Sequence, residues 1–357
     1  MVAHKLDRRM FLGLVAAGAV TVTGLGGFLA LEGRGGLRLT GRSFIDLFEA
    51  TGGKFVGYRR NHAKALAVSG RFESNGAGAE VSSASVFVKG VHPVVGRFSV
   101  GGQNPHQADT GSGQALALEF SLPGGQQWRT AMAAAPVFMA PTPEMFYGLL
   151  VARSSGKDAT AAFLRDNPPA AAAQKLIEAG PKALSFEAAT YNSLNTFVLV
   201  NKDGARRPVR WRVAPDGETD RGALNTDRGA LNTDRGALNN GPNWMFRTLA
   251  STLRGGELRF NLLLQLGVPG EDPTHDPSVP WPSERGYVNV GTLVLGHAIA
   301  QEQERIRDTN FDPTVLPNGI EISDDPILAA RAAVYAESFR RRARETPAPV
   351  AQFGQDM

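Results

Sequence analysis

Short runs in which apolar and polar residues alternate fill the middle of the chain and return after residue 190. A period of two is typical of strands with one buried face, and the Gly, Pro and Asn residues between the runs favour turns. Because no helix is repeated between these runs, the pattern favours a closed antiparallel barrel over a parallel α/β sheet. The predicted strands lie in ALAVSGRF (65–72), SASVFVKG (83–90), PVVGRFSV (93–100), ALALEFSLP (115–123), NTFVLVNKDGARRPVRWRV (195–213), GELRFNLLLQLGV (256–268) and YVNVGTLVLG (287–296).

Helical patterns flank these strands. A short helix carrying Ile45 and Phe48 is predicted to end at Gly52-Gly53, and longer helices are predicted over 143–153, 158–179 and 325–345. Asp325-Pro326 has the residue types of an N-cap followed by the first helical position. The expected fold class is therefore α+β, an antiparallel β-barrel with flanking and C-terminal helices.

The N-terminus has the layout of an export signal. Residues 7–12 read DRRMFL, and an apolar run without charges extends from Met10 to Leu31. The twin arginine with Phe-Leu favours the twin-arginine route, whose export machinery carries folded proteins, so a periplasmic or otherwise exported location is expected. The run is also long enough to span a bilayer, and no clear cleavage site follows. Residues 1–32 are thus interpreted as an export signal or, if uncleaved, an N-terminal membrane anchor.

The remainder divides into a linker, one large domain and a tail. A Gly-rich linker is expected at 33–42, the main domain at 43–345 and a disordered tail at 346–357. Within the domain, TDRGALN occurs three times in succession at 219–239. Ala and Leu are adjacent in each unit, so no coiled-coil seam forms, and the repeats are interpreted as a mobile surface insertion.

Composition excludes several classes of function. The 357 residues include no Cys, so disulfides, thiolate catalysis and Cys-ligated metals are excluded. The net charge of +4 comes from scattered Lys and Arg, which does not predict nucleic-acid binding. His92, His106, His275 and His297 lack metal-ligand spacing and are expected to be structural or solvated.

Two segments carry candidate chemistry. His62 lies between a basic cluster and the first predicted strand, where it could be a core residue, a metal ligand or an acid/base catalyst. Arg331 and Tyr335 are spaced i and i+4, which places them on one helix face about one turn apart. A phenol with a reference pKa near 10 becomes an anionic ligand only when a metal and a neighbouring cation favour the phenolate, although a buried Tyr beside an exposed Arg has the same spacing.

Several blocks in order resemble the catalase family. They are YRRNHAKALAVSGRF, VVGRFSV followed by ADTG with Asp109, LQLGVPGEDPT (264–274), DPSVPWPSER (276–285) and NFDPTVLPNGIEISDDPILAARAAVY (310–335). The resemblance covers about 43–345 and implies the catalase type of β-barrel with a haem b cofactor. Since the chain stops just after the block ending at Tyr335, it is most similar to the short catalase-related peroxidases.

The resemblance implies roles for individual residues. His62 is the distal acid/base, with Ser99 as hydrogen-bond partner of its other ring nitrogen. Tyr335 is the axial ligand of the ferric iron, and Arg331 is the cation beside it. Further cofactor-binding positions are Arg59 and Arg97, which pair with haem propionates, and Phe138 and Phe146. Arg60 is expected simply to be exposed.

The chain departs from the family at one distal position. Ala133 stands where catalases carry an Asn, and the residue before His62 is Asn61, which could supply a substitute amide. A lost hydrogen-bond donor of this kind costs roughly 10²–10³ in turnover. We therefore expect a peroxidase with weak catalase activity, a peroxide substrate and an electron donor that no motif identifies. The alternatives are a hydroperoxide isomerase or lyase acting on organic or fatty-acid hydroperoxides, and a catalytically impaired haem-binding protein.

Overall fold

The computed structural model of the chain describes residues 39–216, 241–299, 306 and 309–345. The expected export segment, the TDRGALN repeats and the expected tail lie outside the described residues, as does most of the expected linker. The helix that follows this linker begins at Gly41.

Eight antiparallel strands close into a barrel. Strand order around it is β1, β2, β3, β4, β5, β7, β8 and β9, and β9 pairs back onto β1. Two further strands, β6 and β10, extend from the edge of β7. The strands are β1 (Ala65–Ser74), β2 (Gly90–Val100), β3 (Gln114–Ser121), β4 (Gln127–Ala133), β5 (Tyr191–Asn192), β6 (Phe197–Val200), β7 (Arg206–Pro215), β8 (Leu258–Leu266), β9 (Tyr287–Ile299) and β10 (Ile320–Ile322). The α+β barrel class predicted from alternation is confirmed.

Six α-helices with described bounds surround the barrel. They are α1 (Gly41–Gly52), α2 (Pro143–Ser155), α3 (Lys157–Asp166), α4 (Pro168–Ala179), α5 (Trp244–Gly255) and α6 (Pro326–Arg342). Helix α1 ends at Gly52 and α6 begins after the N-cap Asp325, as predicted. No helix among the described residues is long and apolar enough to cross a membrane.

Aromatic side chains fill the barrel interior. Trp128 stacks on Phe120 with ring centroids 4.8 Å apart and meets Trp211 edge-on at 5.0 Å. Phe197 stacks on the other side of Trp211 at 4.3 Å. These rings are at most 2% exposed, so the barrel is a packed core and not a pore.

Two predicted segments differ from the structure. SASVFVKG contains a short 3₁₀ helix, Ser85–Phe87, before β2 begins at Gly90. Val86 and Phe87 are adjacent and both fully buried, which a one-faced strand does not allow. The helix predicted over 158–179 breaks at Asn167, because Pro168 lacks an N–H and disfavours helical geometry in the residue before it.

Strand β4, helix α5 and the short strands β5 and β10 were not predicted. Strand β4 extends the hairpin from β3, and helix α5 precedes β8. In α5, Phe246, Leu249 and Leu253 lie on one buried face, so an apolar period near 3.6 was present in the sequence.

Candidate functional site

The two faces of strands β1 to β4 differ sharply in side-chain size. Leu66, Phe98, Leu116 and Met132 point into the barrel core. The opposite face carries two rows of directly paired residues, Ala65–Ser99–Ala115–Ala133 and Ala67–Arg97–Ala117–Ala131. Because six of these eight side chains are single methyl groups, the outer face of the barrel leaves space between the sheet and whatever covers it.

His62 lies at the entrance to β1, beside this alanine-rich face. Its backbone has φ +53°, in the left-handed region that non-glycine residues rarely occupy. The Asn61 side-chain oxygen accepts hydrogen bonds from His62 N at 2.9 Å and from Gly102 N at 3.0 Å. Ala63 N donates to the Gly102 carbonyl at 3.1 Å. A residue in this conformation costs on the order of 1–3 kcal/mol and persists only when its surroundings hold it, as these bonds do.

The imidazole of His62 is oriented by β2. Ser99 Oγ lies 3.3 Å from His62 Nδ1, within hydrogen-bond distance, and Arg97 Nη2 donates to the His62 carbonyl at 2.9 Å. Burial, together with the nearby cations Arg97, Arg331 and Arg59, lowers the pKa of His62 to about 4. The ring is therefore neutral at physiological pH. The structure brings His62 and Ser99 together as the sequence analysis anticipated, whereas their catalytic roles stay predictions.

Tyr335 and Arg331 project from α6. Arg331 Nη2 lies 3.5 Å from Tyr335 Oη and donates to the carbonyl of Ala131 at 2.7 Å. Ala131 belongs to the alanine-rich face, so the Arg331 side chain connects α6 to this face. Since the Arg331 charge also acts on His62, the distal and proximal candidates border one region. The role of Tyr335 as a metal ligand stays a prediction.

Two residues behind Arg331 were missed as site residues. Asn195 accepts a hydrogen bond from Arg331 Nη1, and its Nδ2 donates to Asp325 Oδ2 at 2.8 Å. Asp325 Oδ1 accepts from Ile327 N at 2.9 Å, which caps α6. Asn195 and Asp325 are 0% and 3% exposed, so the guanidinium of Arg331 is held by a buried chain of hydrogen bonds. The sequence marked Asp325 only as a helix cap, and no signal distinguished Asn195.

Buried arginines gather at one edge of the site. Arg97 is 4% exposed, and burial together with the Arg342 cation lowers its pKa to about 9, whereas Tyr335 opposes this shift. Arg342, at the end of α6, is also buried. It was missed because it ends an Arg340–Arg342 run that is typical of a solvated last turn. Arg59 Nη2 donates to the Thr309 carbonyl at 2.9 Å.

Arg60 corrects an expectation. It was expected to be exposed, but only 2% of its side chain is exposed. Its Nε donates to Glu49 at 2.7 Å, its Nη2 to Glu345, and its Nη1 to the Tyr58 carbonyl at 2.8 Å. Partners from α1 and from the end of the described chain compensate its charge, and sequence neighbours could not show this.

Phe138 and Phe146 form an apolar wall. Their ring centroids lie 4.9 Å apart, and Phe146 stacks on Phe44 of α1 at 6.0 Å. Both are half-buried. These ring contacts are entirely apolar.

The residues present fit a flat, dianionic cofactor such as a haem. The alanine-rich face provides room for a macrocycle, and buried cations such as Arg97 call for anionic partners, which propionates supply. Tyr335 beside Arg331 is the donor type that binds haem iron in catalases. The site thus has a neutral imidazole, a guanidinium-supported phenol and a cationic edge.

Comparisons with known proteins agree with this geometry. A family model described as "Catalase" matches residues 27–346. Two proteins named "Catalase-related peroxidase" are similar along almost their whole lengths. One from Synechococcus elongatus is 31% identical over 349 residues, which is 95% of this chain and 99% of that protein. One from Mycolicibacterium paratuberculosis is 31% identical over 309 residues, which is 85% of this chain and 95% of that protein.

Solved structures share the fold. A fungal catalase has a TM-score of 0.66 at 20% identity, covering 90% of this chain and 66% of its own. Catalase A from Saccharomyces cerevisiae has a TM-score of 0.66 at 19% identity, covering 90% and 68%. A bacterial catalase has a TM-score of 0.64 at 18% identity, covering 95% and 70%. The chain spans about two thirds of the length of these catalases.

Replacing Asp325 by Asn should reveal two opposing pH dependences of stability. Burial raises the pKa of Asp325 to about 6, so between pH 4 and 6 the folded protein keeps a proton that the unfolded chain releases. Stability from this group therefore falls as pH rises, by roughly 3 kcal/mol in total. His62 acts oppositely: with its pKa lowered to about 4, its stability contribution is lost as pH falls from about 6.5 to 4.

Urea unfolding at a series of pH values measures this balance. Wild type should show a shallow slope between pH 4 and 6, because the two groups partly cancel. The Asp325→Asn variant should gain stability as pH rises, and the control His62→Phe should lose it. Parallel curves for all three proteins would contradict the assigned pKa directions.

Proposed function

We propose that this chain, which belongs to the catalase family, is a haem peroxidase that reduces hydrogen peroxide or organic hydroperoxides. The family assignment supports an oxidoreductase that acts on peroxide. The observation that carries the finer proposal is the neutral His62 imidazole, which Ser99 orients at the face where Ala133 stands in place of the Asn of catalases. An electron donor completes the reaction: the peroxide takes up two electrons and two protons and yields two hydroxyl products.

The chain's own residues would hold a haem b at the alanine-rich face. Tyr335 would bind the iron as phenolate, with Arg331 stabilising the negative charge. Arg59, Arg97 and Arg342 would neutralise the propionates. When bound, the haem supplies the redox chemistry that breaks the O–O bond.

His62 moves the proton. When Nδ1–H donates to Ser99 Oγ, Nε2 presents its lone pair and accepts the proton of the attacking peroxide oxygen. It then returns this proton to the leaving oxygen, a general acid–base role typically worth roughly 10²–10⁴ in rate. The low pKa of His62, about 4, keeps this base unprotonated from weakly acid pH upward.

The same geometry supports weak catalase activity. Disproportionation requires a second peroxide to be oriented as reductant, and Ala133 offers it no amide. The Asn61 side chain is held against the distal backbone, because its oxygen accepts hydrogen bonds from His62 N and Gly102 N. An outside donor is therefore the better reductant in this site.

A second candidate is a hydroperoxide isomerase or lyase. Ala133 and the apolar rings of Phe138 and Phe146 would accommodate the alkyl group of an organic peroxide better than polar side chains would. Donor-free consumption of a fatty-acid hydroperoxide would support this reading. The third alternative, a haem-binding protein without catalysis, is opposed by the presence of His62, Arg331 and Tyr335.

Purified haem-loaded protein should oxidise a dye with hydrogen peroxide. Variants of His62 and Tyr335 should have different defects, because the first residue would transfer protons and the second would bind the iron. His62→Phe should keep its haem and lose roughly 10²–10⁴ in turnover, because only proton transfer is removed. Tyr335→Phe should change the absorption spectrum of the ferric haem, since the ligand is lost. Protein that neither retains haem nor accepts it on reconstitution would refute the proposal.

Ala133→Asn should raise oxygen evolution by up to roughly 10², because it restores an amide donor at the distal side. Dye oxidation should change much less. Ala133→Leu is the control, since it adds similar bulk without a donor. Equal oxygen evolution in both variants and wild type would show that Ala133 does not limit the catalase reaction.

Export by the twin-arginine route is part of the proposal and rests on DRRMFL and the apolar run after it. Replacing Arg8 and Arg9 together by Lys should retain the protein in the cytoplasm, whereas wild type should reach the periplasm or its membrane face. Fractionation with immunodetection measures this. Identical distributions would count against this route, and precursor size would report cleavage of residues 1–32.

A further inference from the structure

Lys64 is a fully enclosed lysine two residues after His62. Its side chain is 0% exposed, although lysine is rarely buried without a partner. The ammonium group lies 2.5 Å from Asp109 Oδ1 and donates to the carbonyls of Gln107 at 2.7 Å and Pro242 at 2.9 Å. It also lies 5.2 Å from the centre of the Phe246 ring. Every hydrogen of the ammonium group has an acceptor.

Asp109 connects this ammonium group to α5. Its Oδ2 accepts a hydrogen bond from Met245 N at 2.8 Å, in the first turn of the helix. Its backbone N donates to the Pro242 carbonyl at 2.9 Å. The pair therefore fastens three segments to one another: the distal segment before β1, the loop 101–113 after β2, and the start of α5.

The fastening acts close to the strained backbone of His62. Val100 N donates to the Lys64 carbonyl at 3.3 Å, and Ala63 N donates to the Gly102 carbonyl at 3.1 Å. Only Ala63 separates Lys64 from His62, whose φ is +53°. Release of the Lys64 side chain would leave the C-terminal side of this left-handed turn held only by these backbone bonds and by Arg97, whereas Asn61 would still hold its N-terminal side.

We propose that Lys64 and Asp109 are positioning residues that keep the His62 imidazole on Ser99 by clamping the distal segment to α5. The proposal rests on the proposed function of His62 and deepens it. Neither side chain is assigned a contact with substrate or cofactor. Both act through the backbone of the distal turn.

Replacing Lys64 and Asp109 by apolar residues distinguishes a role in positioning His62 from a role in stabilising the fold. A buried ion pair exchanged for apolar side chains of similar size is often neutral for stability, because the desolvation penalty disappears with the charges. The double variant Lys64→Met/Asp109→Leu should therefore fold. It should nevertheless lose the directed hydrogen bonds to Gln107, Pro242 and Met245 that locate the turn.

The matched control is Arg285→Met/Asp272→Leu. Asp272 also joins one cation and one backbone donor: its Oδ2 lies 2.8 Å from Arg285 Nε and 2.7 Å from Val268 N. Its side chain, like that of Asp109, is buried, but none of its hydrogen bonds involves the distal segment. An effect of removing any carboxylate–cation pair should appear in both variants, whereas loss of the clamp should appear only in Lys64→Met/Asp109→Leu.

The first readout needs no haem. Histidine ring resonances of cofactor-free protein, assigned with His62→Phe, are titrated by NMR. Wild type and control should titrate at His62 near the value of about 4 that burial imposes. In Lys64→Met/Asp109→Leu the midpoint should rise by about one unit or more toward the unperturbed value near 6.5, because a loosened turn exposes the ring. An unchanged midpoint would overturn the proposal.

The second readout is turnover of the haem-loaded protein. The test variant should lose about 10–100-fold in kcat at equal haem content, since a small misplacement of a catalytic group has this effect. Unchanged kcat would overturn the positioning role. If the double variant does not fold, the single variant Asp109→Asn replaces it, because it keeps an acceptor for Met245 N. This variant should show the same raised midpoint of His62, and an unchanged midpoint would overturn the proposal. A wild type without peroxidase turnover would refute the proposed function, while the NMR titration would still decide the clamp.

Discussion

Closure of the sheet through β7 and β8 is the constraint on which the site depends. Directly paired residues of an antiparallel sheet share a face, so closure and register together decide which side chains lie outside the barrel. In the rows through Ser99 and Arg97, β1, β3 and β4 contribute only alanines. A slip of one residue would bring Leu66, Phe98, Leu116 or Met132 to that face and fill the space that a cofactor needs.

Electrostatic interactions then determine the charge states of the polar residues in the site. Burial most of all, and then the charges of Arg97, Arg331 and Arg59, disfavour a protonated His62, so its imidazole stays neutral. On α6, the Arg331 guanidinium is held by Asn195 and Asp325 and faces Tyr335. In the proposed function, the same cations would support Tyr335 as an anionic ligand on one side and His62 as a neutral base on the other.

The distal turn shows how a strained backbone serves a site. His62 occupies a left-handed conformation because Asn61, Gly102 and Arg97 each bond to a group within or beside it. Asn61 thus supports this turn through its side-chain oxygen, while its role as a substitute amide stays a prediction. The clamp formed by Lys64 and Asp109 would complete this support from the other end of the turn.

Local pattern determined much of this protein: alternation predicted the barrel strands, capping residues predicted where α1 ends and α6 begins, and motif order pointed to His62, Ser99, Arg97 and Tyr335. Local pattern failed for SASVFVKG, since its β-branched and aromatic residues favour a strand, whereas the structure has a 3₁₀ turn that buries the adjacent Val86 and Phe87. Arg60, Arg342, Asn195 and the Lys64–Asp109 pair could not be placed at all. Their partners lie far away in sequence, and burial of a charge or an amide depends on which distant groups compensate it, which only the tertiary structure decides.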